Sequence, residues 1–132
     1  MKKGAMKDQP AIKYTKEYDT DSRNPWKIEY YKQADLVTSL HFQDIKEKAT
    51  RIWLELSLQR EKEVGDRGCC TIGGGIYMYT LPPRHSKPKR IRIIAPPNGV
   101  QGEDPKYCGM KEAVAFLELH GYKTQGDHGR MD

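Results

Sequence analysis

Long apolar runs are missing from this sequence. No stretch approaches the ~20 apolar residues that a membrane-spanning helix needs. The lysine-bearing start, Met1 to Lys7, has no apolar segment behind it, so a secretory signal is not expected either. Cysteine is scarce: Cys69, Cys70 and Cys108 are the only three. An odd count with two of them adjacent is no disulfide framework. It predicts free thiols in a reducing, intracellular compartment, nuclear or cytoplasmic.

Metal-ligand spacing is absent too. Cys69-Cys70 is not C-x-x-C, and His41, His85, His120 and His128 follow no ligand pattern. Neither a metal nor another cofactor is expected. Gly73, Gly74 and Gly75 are not a phosphate loop, because the predicted strand follows them instead of preceding them and no Gly-Lys-Ser/Thr end is present. They suit a sharp turn or a close backbone approach. A thiol nucleophile at Cys70 or Cys108 would need a partner such as His85 or His120, and nothing in the sequence brings them together. No carboxylate pair suggests acid–base chemistry, so the expectation is a protein without catalysis.

What is present fits one domain. Hydrophobic residues make up 36% of the 132, enough for a compact core with polar segments around it. The formal charge of +5 favours an acidic partner such as nucleic acid. Residues 1–24, with Lys2, Lys3, Lys7, Lys13 and Lys16 among Tyr14 and Tyr18, read as a mobile basic arm. Residues 25–122 form the domain, and 123–132 a polar tail.

Within the domain, Trp26, Ile28 and Tyr30 alternate with Lys27, Glu29 and Tyr31, which predicts a short strand, with a helix starting at Pro25 as the competing reading. Asp35 to Leu40 is a connection or a helical turn. Phe42, Ile45, Ala49, Ile52, Trp53 and Leu56 recur at helical spacing and predict a helix over 42–64 ended by Gly65. Two strands follow, 76–81 and 89–94, joined by Pro82-Pro83-Arg84-His85-Ser86-Lys87-Pro88. Pro96 to Cys108 reads as an irregular connection because of its prolines and glycines. Met110, Ala113, Val114 and Leu117 predict a buried helix to His120, stopped by Gly121.

The expected fold is therefore α+β, a small antiparallel sheet with a long basic hairpin loop, backed by two main helices. Alternation buries Ile76, Met78, Ile91 and Ile93 beneath the helices. It leaves Tyr77, Tyr79, Arg90 and Arg92 on the open face. The run from Arg84 to Arg92 carries Arg84, Lys87, Lys89, Arg90 and Arg92, five cations and no acid. Arginines beside aromatics suit phosphates and bases. The run is also similar to a short basic nuclear-import patch. These seven residues, the two tyrosines and the five cations, are the candidate nucleic-acid site.

Tyr77-x-Tyr79-x-x-Pro82, a basic strand and then Lys111-Glu112-x-x-x-Phe116-Leu117 resemble the methyl-CpG-binding-domain family and its TAM relatives over roughly residues 75–120. The resemblance implies a small twisted sheet with a helix packed behind, binding DNA through the hairpin. By position it implies Arg84, Lys87, Arg90 and Arg92 as contacts, with Tyr77 or Tyr79 beside them. The strand and helix order also fits a split βαβ arrangement, which a last strand after Gly121 would complete. The expected function is nucleic-acid binding, DNA ahead of RNA, with no membrane partner. The alternative is a protein-interaction or accessory subunit of a larger complex.

Overall fold

The computed structural model describes residues 10–18, 26–64, 71–97, 103–127 and 129–131. Its elements are β1 (Tyr14–Tyr18), β2 (Trp26–Lys32), α1 (Gln33–Thr38), α2 (Leu40–Val64), β3 (Thr71–Ile72), β4 (Gly75–Leu81), β5 (Lys89–Ile94), α3 (Glu103–Leu119), β6 (Gln125–Asp127) and β7 (Arg130–Met131). The fold is α+β, with helices packed on one face of a five-stranded sheet ordered β1-β2-β4-β5, β6 also pairing with β4. The sheet is mixed. β2 runs parallel to β4 through Tyr31–Thr80 and Lys32–Leu81, while β1–β2, β4–β5 and β4–β6 are antiparallel. A parallel pair needs a long crossover, and α1 and α2 supply it.

The long helix forms for reasons visible in its first turn and along one stripe. The Ser39 hydroxyl accepts from the Phe42 backbone N–H at 3.0 Å, an N-cap that starts α2. Phe42, Ile45, Ala49 and Trp53 then turn inward, and the stripe continues to Ser57. Ile52 and Leu56 are only half buried. Glu47 pairs with Arg51 at 3.0 Å on the wet side. The expected stop at Gly65 lies outside the described residues, as do Cys69 and Cys70.

The last helix starts earlier than its sequence suggests, at Glu103. Pro105 sits in the first turn, where a missing N–H costs no helical hydrogen bond. Gly109, a helix-weakening residue on propensity alone, lies against the Trp53 carbonyl and the Ser57 hydroxyl, where a side chain would not fit. The interhelical packing at this point therefore offsets the helix propensity lost there. At the other end Gly121, at φ 97°, ends the helix, and the Tyr122 amide returns to the Leu117 carbonyl at 2.9 Å. That reversal drives Tyr122 into the core, where it is fully buried.

Two chain segments read as arm and tail join the sheet. β1 lies within the expected arm, and pairs Tyr14 with Tyr30, Lys16 with Ile28 and Tyr18 with Trp26. The Tyr14 and Tyr30 rings stack at 5.7 Å, and Lys13 and Glu17 pair with Glu29 and Lys27. Alternating aromatics with a matched partner strand outweigh the polar composition. β6 lies within the expected tail and sets Gln125 opposite Tyr77. Residues 1–9 and 19–24 of the arm lie outside the described residues. The strand after Gly121 exists, but β4 itself lies beside β2, so no strand splits the parallel pair.

The core comprises Tyr31, Leu36, Phe42, Ile45, Ala49, Trp53, Ile76, Met78, Ile94, Met110, Ala113, Leu117 and Tyr122. A register shift between Ile76 and Tyr77 pairs Ile76 with Ile94 and Tyr77 with Arg92. Ile94 therefore takes the core place that strict alternation gives Ile93, which stays half buried against the cluster. No helix among the described residues is long and apolar enough to cross a membrane.

Candidate nucleic-acid interface

The β4–β5 ladder positions the site. Tyr77 stands opposite Arg92 and Tyr79 opposite Arg90, and both pairs face away from the helices. Behind them, Ile76, Met78 and Thr80 are buried. Arg90 reaches diagonally, its guanidinium carbon 4.1 Å from the Tyr77 ring centre. Its Nε donates to Gln125 Oε1 at 2.8 Å. A cation over a tyrosine, tethered by an amide, is held in one orientation. Arg92 donates from Nη1 to the Gly74 carbonyl at 3.1 Å. Its aliphatic stem crosses Gly75, at φ 146°, where a Cβ would collide with Arg92 Cγ and the Ile94 carbonyl. The glycine triplet thus gives Arg92 both an acceptor and a path.

The loop between the strands is a tight turn. The His85 amide donates to the Pro82 carbonyl at 3.2 Å, and Arg84 has φ 65°. Proline followed by a positive-φ residue is the type II pattern. Arg84, His85, Ser86 and Lys87 are exposed. Lys16 of β1 donates to the Ser86 carbonyl at 3.0 Å, so the loop is tied to the β1–β2 hairpin. Lys89 departs from the expected face. It stands opposite the inward Thr80, and so lies on the helix side of the ladder, exposed at the sheet's end.

Part of this surface, Tyr30 and Lys32 of β2 with Tyr14 of β1, lies outside the seven residues expected from the sequence. Tyr31 shares the core face with Thr80, so the neighbouring Lys32 shares the open face with Leu81. Tyr14 and Tyr30 lie on that same side, and the Lys32 ammonium sits 4.8 Å from the Tyr14 ring centre. The alternation of Tyr14, Lys16 and Tyr18 was the available signal.

Two nearby acids are turned away from this face, and a third, Asp127 of β6, shares the side of Gln125. Glu17 and Glu29 point to the other side by alternation. Glu29 binds Lys13 at 3.0 Å and Lys123 at 3.6 Å. The Lys13 hydrogen bond, opposed by desolvation and helped by the charges of Lys13 and Lys123, holds the Glu29 carboxyl below its usual range. Asp127, at the rim, accepts from the Gly129 amide at 3.0 Å. Among the described residues no group of three or more His, Cys, Asp or Glu side chains converges as a metal site. Cys108 is a free, half-buried thiol.

No family model matches the chain, and no curated protein or solved structure matches it significantly.

Proposed function

We propose that this protein binds nucleic acid without catalysis, through the basic hairpin and the tyrosine–arginine face of the sheet. One observation carries the reading. Among the described residues, Lys13, Lys27, Lys48, Arg51, Arg60 and Lys123 each pair with a carboxylate. Arg84, Lys87, Lys89, Arg90 and Arg92 pair with none; Lys32, Lys46, Lys62 and Lys111 do not either, but only the first five are gathered on one hairpin. Cations gathered at one end of the fold without counter-charges, beside half-buried tyrosines, suit a partner that brings both phosphate and base. The interface offers ion pairing and stacking, not a nucleophile with its base. DNA stands ahead of RNA on the resemblance of the hairpin to DNA-binding domains, and a nuclear or cytoplasmic location goes with that reading.

The test uses side chains that support no other contact. Replacing Arg84, Lys87 and Lys89 together with Ala should leave the melting curve nearly unchanged, since exposed substitutions stay within about 0.5 kcal/mol each. Affinity for every nucleic acid tested should fall. The slope of log affinity against log salt should flatten by about 0.9 per lost duplex contact, or about 0.7 on single strands. A triple variant that binds DNA and RNA as the parent does, with an unchanged slope, would sink the reading.

A second reading rests on the opposite layer. Leu54 and Leu58, four apart on α2, are 37% and 40% exposed, and Leu119 on α3 is 80% exposed. Apolar side chains left on outer helix faces support a protein-interaction subunit. Leu54→Lys with Leu58→Lys, compared with the parent by sedimentation alongside candidate complexes, tests that alternative.

A further inference from the structure

One row of side chains crosses the open face of the sheet. β1 contributes Tyr14, paired and stacked with Tyr30 of β2. β2 and β4 pair in parallel at Tyr31–Thr80 and Lys32–Leu81, and Tyr30 and Tyr79 each lie one residue before the first pair, on the same face by alternation. Tyr79 in turn stands opposite Arg90 of β5. Two pairs, Tyr14 with Tyr30 and Tyr79 with Arg90, thus lie side by side on four successive strands. At about 4.8 Å per paired strand they span at least roughly 14 Å. Cations flank them on both sides: Lys32 at the Tyr14 ring, and Arg92 beyond Arg90. The loop carrying Arg84 and Lys87 is fastened to β1 through Lys16 and Ser86.

We infer that this face is a stacking platform for a single-stranded polynucleotide, with Tyr14, Tyr30 and Lys32 forming a half-site that the basic hairpin alone does not provide. The inference rests on the nucleic-acid reading above and narrows it. The rings decide the strandedness. All four tyrosines, Tyr14, Tyr30, Tyr77 and Tyr79, are half buried, and Tyr14 and Tyr30 stack on each other. A duplex hides the flat faces of its bases inside its own stack. A single strand presents those faces, and stacking on aromatic or guanidinium planes is sequence-tolerant. Arg90, held over Tyr77 by Gln125, supplies a guanidinium plane already fixed in place. Four-stranded sheets that read single strands hold about two or three bases, which matches the width of this row. Lys32, Arg92, Arg84 and Lys87 are placed for the phosphates between them.

The experiment measures fluorescence anisotropy of labelled oligo-dT, oligo-rU and a mixed-sequence DNA duplex of equal length with the full chain. Variants are Tyr79→Leu, the pair Tyr14→Leu and Tyr30→Leu, and the Arg84, Lys87, Lys89 triple. Leucine keeps apolar bulk and removes the aromatic plane. The parent should bind the single strands more tightly than the duplex. Each lost ring should weaken single-strand binding by roughly 5- to 100-fold, so the preference for single strands shrinks or vanishes. Similar losses on dT and rU mean either polymer is accepted, and a larger loss on one identifies it. If the N-terminal pair disturbs the fold, as circular dichroism would show, Tyr79→Leu alone decides. A parent that prefers duplex, or a Tyr79→Leu variant that binds oligo-dT and oligo-rU as the parent does, overturns the platform. It leaves the nucleic-acid reading standing if the basic triple still loses affinity. Binding of no nucleic acid by the parent overturns both.

Discussion

The indole Nε1 of Trp53 donates to the backbone carbonyl of Lys106 at 3.0 Å, across the packed seam of α2 and α3. Trp53 is fully buried. The bond satisfies a buried indole donor, and the Lys106 carbonyl, in the first turn of α3, takes it on its second lone pair. Trp53→Ala should cost about 3–5 kcal/mol, as truncation of a large buried aromatic does. Urea denaturation measures it, and a midpoint equal to the parent's would mean that the seam is not the core.

Two small residues on the same seam should respond in opposite directions. Gly109→Ala pushes a methyl into the Trp53 carbonyl and indole, and should cost about 1–3 kcal/mol by overpacking. Ser57 is fully buried, and among the described residues its Oγ has no hydrogen-bond partner. Ser57→Ala removes a desolvated hydroxyl and should be neutral or stabilising by about 1 kcal/mol. Because the Ser57 Oγ also crowds the Gly109 position, the double variant should be less unstable than the sum of the two. Thermal melts of the three variants give the signs directly.

Alkaline pH should loosen the fold through two tyrosines. Burial raises the pKa of Tyr31 and of Tyr122 above the ordinary tyrosine value. The folded state then holds these protons more tightly than the unfolded chain. Their contribution is complete below the unfolded value near 10 and is lost as pH rises through the folded values. Tyr31 Oη donates to the Gly121 carbonyl at 2.8 Å and accepts from the Lys123 amide at 3.0 Å. Tyr31→Phe should cost about 1 kcal/mol per bond at neutral pH and flatten the alkaline limb. Glu29 acts at the other end: its depressed pKa adds stability that is present above the unfolded value and lost as pH falls through the folded one. Denaturation midpoints from acid to alkaline pH, for parent and Tyr31→Phe, test both limbs.

Gly75 links the backbone to the interface. At φ 146° and pressed by the Arg92 stem, it tolerates no Cβ. Gly75→Ala should destabilise by about 1 kcal/mol or more and displace Arg92 from the Gly74 carbonyl. Gly73, also at positive φ but with open space around it, should cost stability without moving Arg92. Nucleic-acid affinity of the two alanine variants, compared at equal folded fraction, separates the effects.

The legible parts of this molecule were those with one dominant period. The α2 stripe, the β4–β5 hairpin and the Gly121 stop follow from local pattern. So does the shared face of Tyr77, Tyr79, Arg90 and Arg92. β1 was hidden because a five-residue strand shows its worth only against a partner, and Tyr14 finds its partner in Tyr30. The start of α3 was hidden because Pro105 follows Pro96, Pro97, Gly99 and Gly102 in a run that reads as irregular, whereas its place in the first turn makes it harmless. The parallel β2–β4 pair leaves no local signature, since it is fixed by where α2 returns the chain. Tyr14 and Tyr18 are visible among the lysines of the arm, but nothing local places that segment in the sheet.

β4 receives one of its edges from both ends of the described chain: β2 covers Thr80 and Leu81, and β6 covers Gly75 to Tyr77. During synthesis the N-terminal side emerges first, at about 5–20 residues per second. Half of that edge therefore waits, with unpaired amides and carbonyls, until Asp127 has left the ribosome. An open edge is a template for any other extended chain. A chain cut before Gln125 would keep its helices and most of its core, and its characteristic failure would be strand-to-strand self-association.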